Sequence, residues 1–348
     1  MSPDDALVPL TYDPTELDRT LPGWRRTLVD GYRWMLLARA LDRRMLGLQR
    51  QGRVGFYGPA TGQEAVSVGA ALALTPDDWV FPGLREQLIA LVRGHPLTTY
   101  VHHLFATDLD PARGRQMPCH PTARDVRYVS MSSVIGTQIT QGVGCAYALK
   151  VKHQPGAVLA FFGDGATSAN DFHAGLNLAG VWRLPILFCC TNNQWAISQP
   201  VERQTGVREL AQKAAAYGLP GRRVDGTDLI AVYREVRDAL ARIRSGAGPE
   251  MLEFLLYRMT PHSSSDDPTR YQAADWMARA SARDPVPRVE RFLLTTGLVT
   301  EEARDRFAEE VEREVRSAVT EAESAPAPDP ASLFSDVFAS ASPGSIGR

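Results

Sequence analysis

The chain has 348 residues, enough for one large domain or two ordinary ones, and its 38 basic and 40 acidic residues leave a net charge of -2. That balance gives no global field for nucleic acid or an anionic membrane, and no apolar run approaches the ~20 residues of a membrane span. The four cysteines form no CxxC pair, and Met1 to Asp5 is neither a signal core nor an Arg-rich transit segment, so a reducing, cytoplasmic setting is expected.

Residues 1–24 are Pro-rich and at first acidic, and read as an extended arm. Over 28–48, Leu28, Tyr32, Met35, Leu36 and Leu46 recur at helical spacing. Gly52 to Pro59 is a loop, with Gly52, Gly55, Gly58 and Pro59 breaking any period. A small-residue helix is predicted over 63–74, its Ala and Gly content implying close packing on another element. The adjacent His102-His103 has no partner motif and reads as structural or exposed.

Ala157 to Phe162 is apolar at every position, as a parallel strand covered on both faces requires. A helix is predicted over 168–182, with Phe172, Leu176 and Ala179 on one stripe. Pro185 to Cys190 is a second buried strand, in which Cys189 and Cys190 act as small hydrophobes. Strand, crossover helix and strand make one right-handed βαβ unit. A helix over 228–244 and a strand over 251–257 continue an α/β pattern of largely parallel sheet flanked by helices. Residues 259–274 are polar and read as a mobile loop. A charged helix follows over 300–324, with Glu309 and Arg313 on a solvated face. The divisions expected are an arm (1–24), an α/β domain (25–325), and a Pro-rich linker with a C-terminal tail (326–348). In the tail, Leu333, Phe334, Val337 and Phe338 read as apolar anchors for this chain or a partner.

The chemistry concentrates where the two central strands end. Gly163-Asp164-Gly165 follows the first, and Asn192-Asn193 follows the second after a further 26 residues. A carboxylate and a carboxamide at neighbouring strand ends suit a hard cation such as Mg2+, which keeps phosphate oxygens and water in its shell. Flanking glycines let the main chain approach phosphate, and the following helix turns free N–H groups toward the same place. A nicotinamide site fits poorly: Ser168 stands where a third glycine belongs, and no acidic residue ends the second strand. No Walker A loop is present.

Gly-Asp-Gly followed at this distance by Asn-Asn is the thiamine diphosphate signature. From Gln51 to Phe338 the chain resembles the alpha subunits of the branched-chain 2-oxo acid dehydrogenase decarboxylating component. Further patches carrying the likeness are Gly52 to Tyr57, Gly114 to His120, Ser132-Ser133, Thr137-Gln138, Arg223 to Gly226, Tyr257-Arg258, His262 to Asp267 and Leu333 to Val337. The His-Ser-x-Ser-Asp-Asp stretch, with Tyr271 after it, and the Leu-Phe-Ser-Asp-Val patch favour the branched-chain type over the pyruvate type.

The resemblance implies a thiamine diphosphate-binding fold, thiamine diphosphate and Mg2+ as cofactors, and a 2-oxo acid as substrate. It implies Asp164, the Asn193 side chain and the Trp195 main-chain carbonyl as metal ligands. Gly163, Gly165, Ala166 and Asn170 would cradle the diphosphate, and Arg85 would clamp it. Leu84 stands where the family usually has Tyr, and Trp195 where Tyr is common; a carbonyl ligand survives the second change. Ser133 and Ile135 match positions around the cofactor rings, and Phe56, His120 and Ser133 match the substrate pocket. His262 matches a loop histidine near the diphosphate and the reacting centre, so His262 and His120 are the catalytic candidates. Ser263 matches a position phosphorylated in mitochondrial relatives.

The same resemblance implies an alpha2beta2 assembly in which a beta subunit supplies the glutamate facing the aminopyrimidine. A lipoyl acyltransferase then takes the acyl group. Neither a nucleic acid nor a membrane is expected as partner. A pyruvate or acetoin dehydrogenase alpha subunit would share almost every motif. A non-catalytic cofactor-binding or scaffold subunit is the alternative from another class, against which Asp164, Asn193 and His262 stand.

Overall fold

The computed structural model describes residues 7–335. In chain order the elements begin with α1 (Pro14–Thr20), α2 (Trp24–Arg50), α3 (Glu64–Ala73), β1 (Trp79–Phe81), α4 (Leu88–Val92), α5 (Leu97–Phe105) and α6 (Thr137–Val151). The centre holds β2 (Val158–Gly163), α7 (Asn170–Trp182), β3 (Ile186–Asn192), and the short β4 (Trp195–Ala196) and β5 (Gln199–Pro200). The rest comprises β6 (Gly221–Asp225), α8 (Leu229–Arg244), β7 (Glu250–Leu255), α9 (Trp276–Ser281), α10 (Pro285–Thr295) and α11 (Glu301–Ser324).

The main sheet has five strands in the order β1-β2-β3-β7-β6, and every pair is parallel. The strands are apolar at nearly every position because both faces are covered. Alternation sorts their side chains. Leu159 and Phe161 of β2, Leu187 and Cys189 of β3, and Leu252 and Phe254 of β7 point to one face. Val158, Ala160 and Phe162, with Ile186, Phe188, Cys190 and Met251, point to the other. Helices α3 and α8 cover the first face, and α6 and α7 cover the second. Full burial of each Phe or Leu contributes ~1.5–3 kcal/mol, so these rows fix the register of β2 against β3, with Gly163 beside Thr191.

A third layer, built from α2, α5, α10 and α11, packs outside α3. The small residues of α3 do allow a close approach: a Cβ at Gly69 would lie 2.8 Å from Val232 on α8. In α2, Leu28, Tyr32 and Met35 are buried, and Leu36 and Leu46 pack against the same cluster.

The expected arm differs from the structure. Residues 14–20 are helical, started by Asp13, whose carboxylate accepts from the Thr15 N–H at 2.8 Å, and by Pro14 in the first turn. Leu7, Leu10, Leu17 and Leu21 are buried, so the Pro-rich start hid a leucine face. In the tail, Leu333 is 59% exposed rather than docked on this chain. Val337 and Phe338 lie outside the described residues.

Candidate active site

Four adjacent parallel strands each hand one functional side chain to the carboxyl edge of the sheet. Arg85 follows β1, Asp164 follows β2, Asn193 follows β3 and His262 follows β7. Ligands in open α/β sheets bind at this edge, and here side chains remote in sequence meet because β1, β2, β3 and β7 are neighbours.

The expected helix over 168–182 begins later than the spacing implied. A 3-10 turn, Asp164–Ser168, separates β2 from α7, and Asn170 is the exposed first residue of α7. The free N–H groups next to Asp164 therefore belong to that turn as well as to α7, and no side chain caps either. The two glycines serve different ends. A Cβ at Gly165 would lie 2.7 Å from the Ala196 Cβ, so the chain itself requires glycine there. A Cβ at Gly163 would meet nothing within 4 Å, and its φ of -76° suits any residue. That open space leaves room for a ligand atom to approach the main chain. Ala166 is buried just beyond.

Asp164 is 2% exposed and accepts from Gln204 Nε2 at 3.0 Å. Burial pushes its carboxyl up to about 6 despite that hydrogen bond. Asn193 Oδ1 accepts from the Trp195 N–H at 3.1 Å, an Asx turn that leaves a second lone pair available. The turn is held from behind: Asn192 Nδ2 donates to the buried Glu253 at 2.7 Å, and its Oδ1 accepts from the Gln194 N–H at 2.9 Å. The Trp195 carbonyl has only a long contact, 3.5 Å, from Arg258 Nη1. No cluster of three His, Cys, Asp or Glu suited to a metal occurs among the described residues. A carboxylate, a carboxamide and a carbonyl are instead an all-oxygen donor set, the kind Mg2+ takes.

Arg85 is 5% exposed, and no carboxylate among the described residues forms an ion pair with it. Its guanidinium donates to the carbonyls of Pro59 and, at 2.6 Å, His262. Burial and the nearby Arg258 bring it down to about 10. A buried cation facing a second cation is costly unless an anion arrives. A diphosphate fits this place.

Arg85 Nη2 also lies 3.5 Å from His262 Nδ1. Because guanidinium only donates, Nδ1 offers its lone pair there, and the proton of the neutral ring sits on Nε2. Burial, Arg85 and Arg258 drive His262 down to about 4, so the ring is neutral near pH 7. The loop expected to be mobile has internal partners: Asp266 accepts from the His262 N–H at 2.8 Å and from the Tyr271 hydroxyl at 2.5 Å. Tyr271 in turn packs on the Trp195 ring, with centroids 5.2 Å apart.

A second group sits beside these. His120 is buried, and its Nδ1 is 2.9 Å from the Pro118 carbonyl, so Nδ1 carries the proton and Nε2 accepts from the Ser133 hydroxyl. Both line a cavity of about 610 Å³ with Phe81, Met117, Val129 and Met131. Phe56 is half-buried against the outer core, and Leu84 reaches toward Gly58. Neither of them lines that cavity. Ile135 is 63% exposed, beside an equally bare Val134.

Sequence reasoning gave no role to Arg258 or Gln204. Arg258 lies just past the end of β7, with a 0% exposed side chain donating to Ile197 O and to the Tyr271 hydroxyl. Its position just past a strand end was the available signal. Gln204 lies 40 residues from Asp164 and left none.

Parallel strand ends, an oxygen donor set and a buried arginine without an ion-pair partner among the described residues are an α/β arrangement that suits a phosphorylated ligand. The chain belongs to the dehydrogenase E1 component family, whose model matches residues 32–331. It is 39% identical over 313 residues to the 2-oxoisovalerate dehydrogenase subunit alpha of Bacillus subtilis, covering 89% of this chain and 95% of that one. It is 40% identical over 316 residues to the 3-methyl-2-oxobutanoate dehydrogenase subunit alpha of Mycobacterium tuberculosis, covering 90% and 83%. Identity to the mitochondrial 2-oxoisovalerate dehydrogenase subunit alpha of Homo sapiens is 37% over 308 residues, covering 88% and 69%.

Proposed function

We propose that this chain is the alpha subunit of a thiamine diphosphate-dependent dehydrogenase that decarboxylates branched-chain 2-oxo acids. The observation that carries the reading is the convergence of Arg85, Asp164, Asn193 and His262 at four adjacent strand ends. Asp164, the Asn193 side chain and the Trp195 carbonyl hold Mg2+. Arg85 clamps the diphosphate in the cradle made by Gly163, Gly165, Ala166 and Asn170 within the 25–325 unit. When bound, the cofactor supplies the electron sink for decarboxylation.

The chain's own groups orient the substrate. Neutral His262 carries its proton on Nε2 and can donate it to an oxygen of the reacting 2-oxo acid. His120 and Ser133 offer a hydroxyl–imidazole pair at the cavity wall, where Phe81, Met117 and Met131 suit an aliphatic side chain. Ser133 and Ile135 border the cofactor rings and Leu84 lies on the cofactor side, whereas Phe56, packed on the outer core, would meet a substrate only from outside the His120 cavity.

Met117, Val134 and Ile135 are 47%, 67% and 63% exposed near this cavity, an apolar rim that supports closure by a partner. A beta subunit in an alpha2beta2 assembly is that partner, and a lipoyl acyltransferase receives the acyl group. Among the described residues no helix is long and apolar enough to cross a membrane. We assign the complex to the cytoplasm, where four unpaired thiols are at home.

Co-expression with a beta subunit, then decarboxylation assays on 2-oxoisovalerate, 4-methyl-2-oxopentanoate and pyruvate, tests the reading. The branched substrates are expected to give the higher kcat/KM. Equal or higher activity on pyruvate would overturn the branched-chain assignment, and no turnover of any would favour a scaffold role.

A further inference from the structure

We propose that His103, oriented by Asp110, is a positioning residue that fixes His120 in the substrate cavity; the inference rests on the pocket role given to His120 above.

His103 lies in the last turn of α5 and is 3% exposed. Its Nε2 is 3.2 Å from the main-chain nitrogen of His120. An N–H can only donate, so Nε2 accepts, and in the neutral ring Nδ1 carries the proton. That Nδ1 faces Asp110 Oδ1 at 3.4 Å, with the two side chains 4% and 2% exposed. Asp110 also accepts from the Ala112 and Gly114 N–H groups at 3.1 and 2.9 Å. Burial pushes this carboxyl up, but His103 and these two N–H groups outweigh it and hold it below the ordinary carboxylate range. An ionised Asp110 therefore sets the His103 tautomer, as carboxylates do for other oriented imidazoles.

The turn that carries His120 needs such a brace. The His120 N–H also reaches the Met117 carbonyl at 3.1 Å, closing a four-residue turn. Within it Cys119 has φ +64°, a left-handed conformation that a side-chain-bearing residue rarely adopts. The Cys119 thiol is buried and accepts from the Gly58 N–H at 3.5 Å, pinning one point of the turn. His103 pins the next. The His120 ring then has its direction set from both ends, by the braced main chain and by the contacts of Nδ1 with Pro118 O and of Nε2 with Ser133. The neighbouring His102 anchors the same helix end through Thr107 at 2.9 Å and Glu321 at 3.3 Å. His103 thus acts on His120 from a rigid element, without lining the 610 Å³ cavity itself.

The test uses the assembled alpha–beta component with His103→Leu, His103→Gln and Asp110→Asn. A Gln amide oxygen can accept from the His120 N–H; a Leu cannot. His103→Leu is expected to lower kcat on 2-oxoisovalerate by about tenfold to a hundredfold, with KM little changed, because a misplacement near 1 Å has that cost. His103→Gln is expected to restore kcat to within about threefold at the same Tm as His103→Leu. Asp110→Asn guards against a Leu variant that fails to assemble; its one amide oxygen can keep only one of the Ala112 and Gly114 contacts, so a lower Tm is expected, and kcat and the His120 signal should change even well below that Tm. Imidazole 15N shifts of His120 are read in parallel and should move in His103→Leu. Equal losses in the Leu and Gln variants that track Tm, or an unmoved His120 signal, would overturn the proposal. If His120→Ala alone leaves kcat intact, the pocket role of His120 fails instead, and the 15N shifts still decide whether His103 positions it.

Discussion

Arg85, after β1, donates a hydrogen bond to the main-chain oxygen of His262 at 2.6 Å, joining the outermost of the four converging strand ends to the loop that follows β7. The contact brings a buried, unpaired guanidinium to the histidine proposed to serve the reacting centre. Asp42 and Glu86 offset that charge only in part, since burial and Arg258 still bring Arg85 down to about 10.

Arg85→Met should therefore weaken thiamine diphosphate binding by about thirtyfold or more, since removing one partner of a buried charge pair costs about 2–5 kcal/mol. Arg85→Lys should fall between, keeping charge but losing the planar fork. Calorimetric titration of the assembled component checks both. Wild-type affinity in the Met variant would show that Arg85 does not face the diphosphate.

His262 gives a pH prediction with a definite sign. Its folded value, about 4, lies below the ordinary 6.5, so between those values the unfolded chain binds more protons than the folded one. Its contribution to stability is thus intact above pH 6.5 and is lost as pH falls toward 4. Tm measured over that range should drop more steeply for the wild type than for His262→Gln; parallel curves would refute the buried, neutral ring.

The two glycines of the motif separate structure from ligand binding. Gly165→Ala places a methyl group 2.7 Å from Ala196 and should destabilise the fold by about 1–3 kcal/mol. Gly163→Ala meets open space and should leave Tm unchanged while lowering cofactor affinity. Thermal unfolding and titration of both variants distinguish the effects; a Tm loss at Gly163 would remove the cradle.

Trp195 contributes a carbonyl to the proposed metal site and a ring to the loop, where it packs on Tyr271 and, with centroids 5.8 Å apart, on Trp276. Trp195→Ala should keep Mg2+ affinity within a few-fold and speed proteolysis within residues 259–274. A large loss of Mg2+ affinity with an intact loop would contradict the division of labour.

The sheet and the strand-end positions of Asp164 and Asn193, proposed to hold the metal, were legible because the relevant patterns are local. Continuous apolar runs gave β2 and β3, and the glycines and amides following them gave Asp164 and Asn193. Arg85 and His262 came only through family resemblance, since strand order, and not chain distance, brings them together. Gln204 and the pairing of His103 with His120 were invisible for the same reason, each being a contact with no period or spacing behind it; Arg258 showed only by its place just past a strand end. Helix α1, with its buried Leu17, was hidden because Pro14 and the acidic start suggest extension, whereas Pro in a first turn with Asp before it starts a helix.

The central claim is that Asp164 anchors a cation that binds the cofactor's diphosphate. Its most direct test is calorimetric titration of thiamine diphosphate into the assembled component, with and without Mg2+, in wild type and Asp164→Ala. The account predicts Mg2+-dependent binding in the wild type and its abolition in the variant. Unchanged binding in Asp164→Ala, or binding indifferent to Mg2+, would contradict it.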